Sequence, residues 1–166
     1  MGGARPVALY IVVRLRGESG ASPDTEKTLN LLRLRRRFAA SLYHDSLPGI
    51  EGMLRKVQDW ATWGEIDRET LIELLYKRGR IVGDKPLTDQ WVAEKLGLYG
   101  GIPELADKLL SGELHYHKLE EAGIKPFFRL HPPRGGFKKT IKRHYTNNGE
   151  LGYRGSAINE LIRRML

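Results

Sequence analysis

Nine residues near the start, Val7-Ala-Leu-Tyr-Ile-Val-Val-Arg-Leu, read as a β-strand and constrain everything that follows. Val7, Leu9, Ile11, Val13 and Leu15 fall on one face at period two, and Tyr10, Val12 and Arg14 take the other. A strand with so apolar a face needs a partner layer over it. The next residues supply helices. Gly17 and Gly20 break the strand, Ser22 is a helix cap and Pro23 sits at the first helical position. Asp24 and Glu26 suit the positive end of that helix, and Leu29, Leu32 and Thr25 form its inward stripe. Phe38 to Tyr43 reads as a second strand and His44 to Gly49 as a loop. Ile50, Met53, Leu54 and Val57 recur at helical spacing, and Trp60 to Ile66 reads as a third strand. The first 66 residues therefore predict β-α-β-α-β, with helices on one face of a small sheet.

The middle of the chain predicts helices. Asp67 caps Arg68 to Arg78, Thr88 caps Asp89 to Leu96 before Gly97, and Pro103 opens a piece that Gly112 ends. Lys125 to Leu130 returns as a strand, Asn147-Asn148-Gly149 marks a turn, and Ser156 caps a terminal helix with Ile158, Leu161, Ile162 and Met165 on one face. Three segments follow: a core over 1–66, a helical segment over 67–125, and a basic loop and helix over 126–166 that pack back on the body.

Charge divides along the same boundaries. Residues 1–66 are +3, residues 67–125 are −2 and residues 126–166 are +7, within a chain of +8. The last segment has nine Lys or Arg against Glu150 and Glu160. Its centre, Arg129-Leu-His-Pro-Pro-Arg-Gly-Gly-Phe-Lys-Lys, is ill suited to a core and suits a polyanion, whose counterions Lys and Arg release. Arg33, Arg35, Arg36 and Arg37 form a second cluster. A helix dipole accounts for one or two cations at its C-terminal end, not four of five residues, so phosphate contact is the better reading.

Other signals are weaker. Arg134-Gly-Gly-Phe-Lys-Lys lacks the spacing of a phosphate-binding nucleotide loop. His115 and His117 share a face, but no third metal ligand lies at a familiar spacing. Asp67, Glu69 and Glu73 read as a solvated helix face, and no nucleophile–base set is visible, so no catalysis is expected. Trp60 and Trp63 read as packing residues. Phe137 and Tyr145 are open to two readings, stacking on an unpaired base or burial under the terminal helix. With no cysteine, disulfides and thiolate metal sites are excluded. Val7 to Val13 is too short to span a bilayer and Arg14 and Arg16 follow it, so a cytoplasmic protein without a signal peptide is expected. The basic loop, with few large aliphatics, is expected to be mobile until it meets RNA.

Four blocks in order carry a family resemblance. Gly52-Met-Leu-Arg-Lys-Val, Thr62-Trp-Gly-Glu-Ile, and Phe128-Arg-Leu-His-Pro-Pro-Arg-Gly-Gly with Ile158-Asn-Glu-Leu-Ile-Arg-Arg-Met resemble the L-thirty family of large-subunit ribosomal proteins. Short bacterial members correspond to about residues 7–66. The later blocks resemble the long archaeal and eukaryotic form, called L-seven in eukaryotes, and the early first strand fits an archaeal type. The resemblance implies an α+β fold with a three-stranded antiparallel, ferredoxin-like sheet. It implies a structural role in the ribosome, with large-subunit ribosomal RNA and neighbouring ribosomal proteins as partners and no membrane, small-molecule substrate, cofactor or metal. With the charge pattern it points to fifteen RNA-contacting residues: Arg14, Arg16, Arg33, Arg35, Arg36, Arg37, Arg55, Lys56, Arg129, Arg134, Lys138, Lys139, Lys142, Arg143 and Arg154. A free-standing RNA-binding regulator and a ligand-sensing ferredoxin-like module are the competing readings; the second leaves the basic C-terminal segment unexplained.

Overall fold

The computed structural model describes residues 8–166, and the expected strand residue Val7 lies outside them. The alternation along the first strand, β1 (Leu9–Arg14), divides it between two cores. Leu9, Ile11 and Val13, with Leu15 just beyond, enter one core; Val12 enters the other. The smaller core lies under α1 (Pro23–Leu31) and α2 (Ile50–Lys56). Leu29, Leu32, Leu34, Ile50, Leu54 and Val57 meet Val12, Tyr43 and Trp63 there. Ser22 caps α1 by accepting from the Thr25 amide at 3.1 Å, and Pro23 occupies its first turn. Thr28 rather than Thr25 joins Leu29 on the buried side.

β1 pairs antiparallel with both β2 (Ala39–His44) and β3 (Ala61–Glu65), which gives the three-stranded antiparallel heart of an α+β, ferredoxin-like fold. The chain then leaves through α3 (Arg68–Arg78), a hairpin of β4 (Arg80–Ile81) and β5 (Lys85–Pro86), α4 (Asp89–Leu96) and α5 (Ile102–Ser111). Asp67 and Thr88 cap α3 and α4 through Thr70 and Trp91 amides, and Gly97 and Gly112 end α4 and α5 in the left-handed conformation. A 3-10 stretch, Tyr116–Ala122, leads to β6 (Phe128–Arg129). The chain closes with β7 (Thr140–His144), β8 (Gly149–Tyr153) and α6 (Ile158–Met165).

The sheet is larger than expected. Its order is β6-β2-β1-β3-β8-β7, so the three central strands gain one neighbour on one side and two on the other. The added pairs are short: β6 matches β2 at two positions, and β8 runs parallel to β3 at Thr62↔Gly152 and Trp63↔Tyr153. Such pieces carry too little periodicity to announce themselves in a sequence. Helices cover both faces rather than one. Leu71, Leu74 and Leu75 of α3, Leu105 and Leu109 of α5, and Ile158, Leu161, Ile162 and Met165 of α6 form one buried cluster with the Leu9–Ile11–Val13 face. Truncating any of these leucines to alanine is expected to cost about 2–5 kcal/mol. α6 starts differently from the expectation. A 3-10 turn over Gly155–Ala157 precedes it, so Ser156 does not cap it. Gly64 makes that turn possible, since a Cβ there would sit 1.9 Å from the Gly155 carbonyl oxygen.

A candidate nucleic-acid interface

Strand directions decide where the cations go. Val13↔Ala40, Arg14↔Ala61 and Ala39↔Arg129 place the end of β1, the starts of β2 and β3, and the end of β6 at one end of the sheet. β8 runs parallel to β3 and β7 parallel to β8, so Gly149 and Thr140 begin at that end too. The turn Arg33–Arg37 enters β2 there, Arg16 leaves β1 there, and α2 delivers Arg55 and Lys56 to the start of β3. Lys139 immediately precedes β7, and Lys142 and Arg143 lie on it. Cations more than a hundred residues apart in the chain therefore line one rim.

The rim is built, not merely charged. Arg33 sits in the left-handed conformation at φ 65° and Phe38 at φ 69°, bounding the arginine turn. The Phe38 amide donates to the Arg14 carbonyl at 2.7 Å, and Arg37 donates through Nε to the Leu15 carbonyl at 2.9 Å while lying over the Phe38 ring. Arg16 lies over Trp60 with its guanidinium carbon 4.8 Å from the ring centre. At the other side of the rim, His144 meets Asp59 at 2.7 Å and ties β7 to the entry of β3.

Two of the fifteen candidates do not face solvent. Arg14 is fully buried: its guanidinium donates to both carboxylate oxygens of Glu26, at 2.8 and 3.1 Å, and to the carbonyls of Leu34 and Arg16. Arg154 is 8% exposed and donates to Thr62 Oγ1, to the Glu150 carbonyl, and to the Glu150 carboxylate at 2.9 Å. Their strand-face and turn positions alternate inward, which a charge count does not register. The structure makes both internal anchors rather than the expected phosphate contacts, because each guanidinium is buried and already engaged by a carboxylate and neighbouring oxygens.

What they anchor is the rim itself. Arg14 holds the backbone at Leu34, inside the arginine turn, and at Arg16, where the chain leaves β1. Glu150, paired with Arg154, accepts the Lys139 amide at 2.9 Å on its other oxygen. Glu26 and Glu150 thus matter to the site although neither is basic; only the paucity of acids in the C-terminal segment pointed toward Glu150.

Four more candidates are surface ion pairs: Arg33–Glu120 at 2.7 Å, Lys56–Asp24 at 3.0 Å, Arg129–Asp84 at 3.5 Å and Lys138–Glu160 at 3.3 Å. Such pairs contribute about 0–1 kcal/mol and exchange readily for another anion. Nine remain: Arg16, Arg35, Arg36, Arg37, Arg55, Arg134, Lys139, Lys142 and Arg143. Among the described residues none of these nine has a carboxylate partner within 4.0 Å.

The basic loop is held by the protein. Leu130 donates to Phe38, His131 to Met165 and Arg134 to Arg164, all backbone to backbone, and the Phe137 ring lies 6.3 Å from Phe38. Arg164 donates in return to the carbonyls of Arg134 and Gly136. The composition of the loop predicts mobility before RNA is met; α6 offers its free C-terminal carbonyls to the loop, and Phe137 packs against the core. Phe137 therefore follows the burial reading. Tyr145 lies between Lys139 and the Arg154 guanidinium, at 5.4 and 5.0 Å. Trp63 is buried and Trp60 partly so, both against the smaller core.

His115 and His117 lie in and beside the 3-10 stretch rather than on a strand, with His44 Nδ1 3.1 Å from His115 Nδ1. Among the described residues no group of three or more His, Cys, Asp or Glu side chains is placed to hold a metal. No helix among them is long and apolar enough to cross a membrane.

The family described as ribosomal protein L30p/L7e matches residues 10–61, from β1 through α2 to the start of β3. Full-length relatives extend the likeness over the rest. A large ribosomal subunit protein uL30 from Aeropyrum pernix is 70% identical over 158 residues, covering 95% of this chain and 99% of its own. The proteins of the same name from Hyperthermus butylicus and Pyrobaculum aerophilum are 63% and 48% identical, over 99% and 95% of this chain and 93% of their own. With the ferredoxin-like core, the helical segment and the basic closing segment all matched, the chain belongs to the uL30 family of large ribosomal subunit proteins.

Proposed function

We propose that this protein is a structural, non-enzymatic constituent of the large ribosomal subunit in the cytoplasm, and that it grips ribosomal RNA with the cation rim at one end of its sheet. The observation that carries the reading is the set of nine cations without carboxylate partners among the described residues, drawn from both ends of the chain to one rim. Like charges brought together repel one another, so such a cluster is held against a cost that a polyanion removes. Arginine dominates the turn at 33–37, and its planar fork matches two phosphate oxygens at once. The anchors Arg14–Glu26 and Arg154–Glu150 hold the backbone of both cation-bearing loops, so little conformational freedom is left to lose on binding. Neighbouring ribosomal proteins are the partners for surface that the RNA leaves open.

Salt titration tests the reading. Each phosphate neutralised contributes about −0.7 to −0.9 to the slope of log affinity against log salt. Several of the nine cations meeting phosphate would give a steep slope; a nearly flat one would overturn the reading.

A further inference from the structure

The arginine turn does not stand alone on its side of the rim. Beside it, where β6 joins β2, lies an open groove of about 750 Å³. It is lined by Arg35, Arg36 and Arg37 of the turn together with Phe127, Arg129 and Glu120. Its volume falls within the roughly 300–1,000 Å³ of pockets that take small-molecule-sized ligands. A flat basic surface would suit the outside of an RNA duplex. A groove of this size is far too small to admit an A-form duplex, whereas an unstacked single-strand base can be splayed into it.

The chemistry of the walls is divided. Arg35 and Arg36 are exposed, with no side-chain hydrogen bond or ion pair among the described residues. Phe127 is half-buried, and the Arg129 guanidinium lies 5.7 Å from its ring centre. Glu120 is a carboxylate among cations. Its Oε1 accepts from Arg33 at 2.7 Å, which fixes the side chain and leaves Oε2 with no partner among the described residues. Repelling a phosphate is the only thing Glu120 would do to a pure backbone contact. Beside an aromatic ring, a free carboxylate oxygen has a use: it accepts from an exocyclic amine on a base edge, as Asp and Glu do from cytosine N4.

We propose that this groove holds one unpaired nucleotide of RNA. The phosphate lies on Arg35 and Arg36, the base lies against Phe127, and Glu120 favours bases that carry an exocyclic amine over uracil. The inference rests on the RNA-binding reading of the rim and sharpens it from phosphate contact to a single-strand site with a base preference.

The test uses the full chain and three probes: short single strands of oligo(C) and of oligo(U), and an RNA duplex carrying the same number of phosphates. Binding is read by fluorescence anisotropy at one low salt concentration. The variants are Phe127→Leu, Phe127→Trp, Glu120→Gln and the double charge reversal Arg35→Glu/Arg36→Glu. Base–aromatic stacking sets the scale, so Phe127→Leu is expected to weaken oligo(C) binding about five- to tenfold and leave the duplex unchanged. Phe127→Trp keeps a stacking surface and is expected to retain binding, which separates loss of the ring from loss of packing. Glu120→Gln is expected to abolish the preference for oligo(C) over oligo(U). Loss of duplex and single-strand binding together in Phe127→Leu, or loss of neither, overturns the groove. If Arg35→Glu/Arg36→Glu weakens all three RNAs while Phe127→Leu weakens none, the rim reading stands and the groove inference falls. If the charge reversal changes nothing, both fall.

Discussion

The cation rim and the helical segment hold similar numbers of basic side chains and use them differently. In the segment from Asp67 to Lys125, cations meet carboxylates: Arg68 with Asp107, Lys77 with Glu73, Lys108 with Glu113 and Lys125 with Asp84. Its other five cations have no carboxylate partner among the described residues: Arg78 and Arg80 donate to backbone carbonyls, and Lys85, Lys95 and Lys118 sit on three separate elements. At the rim, two carboxylates have been turned to other work. Glu26 and Glu150 hold buried arginines behind the surface, and nine cations in front have no carboxylate partner among the described residues. The contrast teaches that net charge by segment is a poor guide to a binding face. What distinguishes the rim is that unpartnered cations are gathered there over a scaffold that fixes the backbone beneath.

The comparison breaks first at the scaffold. Arg154→Met leaves Glu150 buried without its partner, a change expected to cost about 3–5 kcal/mol. For a chain of this length that corresponds to a fall in Tm of roughly 10 °C by calorimetry. The pair Arg154→Met/Glu150→Leu is expected to recover much of the loss. If Arg154→Met melts like the wild type, the arginine is not the anchor described.

Next comes the surface. Arg35→Glu/Arg36→Glu is expected to weaken ribosomal RNA binding at least tenfold, about 1.4 kcal/mol or more, with Tm nearly unchanged because both side chains are exposed. The same reversal at Lys77 and Lys85 is expected to matter much less. Equal losses would erase the distinction between rim and segment.

The smallest effect belongs to the histidines at the opposite end of β2. Burial, with His44 and Lys118 nearby, holds the His115 imidazole below its ordinary pKa; burial and His115 do the same to His117. The folded state then resists protons that the unfolded chain accepts below about pH 6.5. Stability is full above that value and declines as pH falls through it toward the lowered folded pKa. His115→Gln/His117→Gln is expected to show a shallower decline of Tm between pH 7 and pH 5, and an identical decline would remove these groups from the account.

How far the residues announced all this depends on length of pattern. β1, α1, β2, α2 and β3 were legible because each carries a full period of apolar positions with a cap or glycine at its end. β6 has two residues and β8 is interrupted by Gly152 at φ 82°, so neither has a period to read. Their pairing depends on partners up to ninety residues away. The cation clusters were legible as composition. That they share one rim was not, since it follows from the parallel β3–β8–β7 run. Arg14 and Arg154 misled for a related reason: an arginine is read as exposed until a buried carboxylate is found for it, and Glu26 and Glu150 look like ordinary surface acids in the sequence.

The most direct test compares lysine reactivity toward an amine-modifying reagent in the free protein and in assembled large subunits, site by site, by mass spectrometry. Lys139 and Lys142 lie on the rim, whereas Lys85 and Lys95 lie on the helical segment. The account predicts that Lys139 and Lys142 lose most of their reactivity on assembly while Lys85 and Lys95 lose much less. Full reactivity of Lys139 and Lys142 in the assembled subunit would contradict it, because the rim would then face solvent rather than RNA.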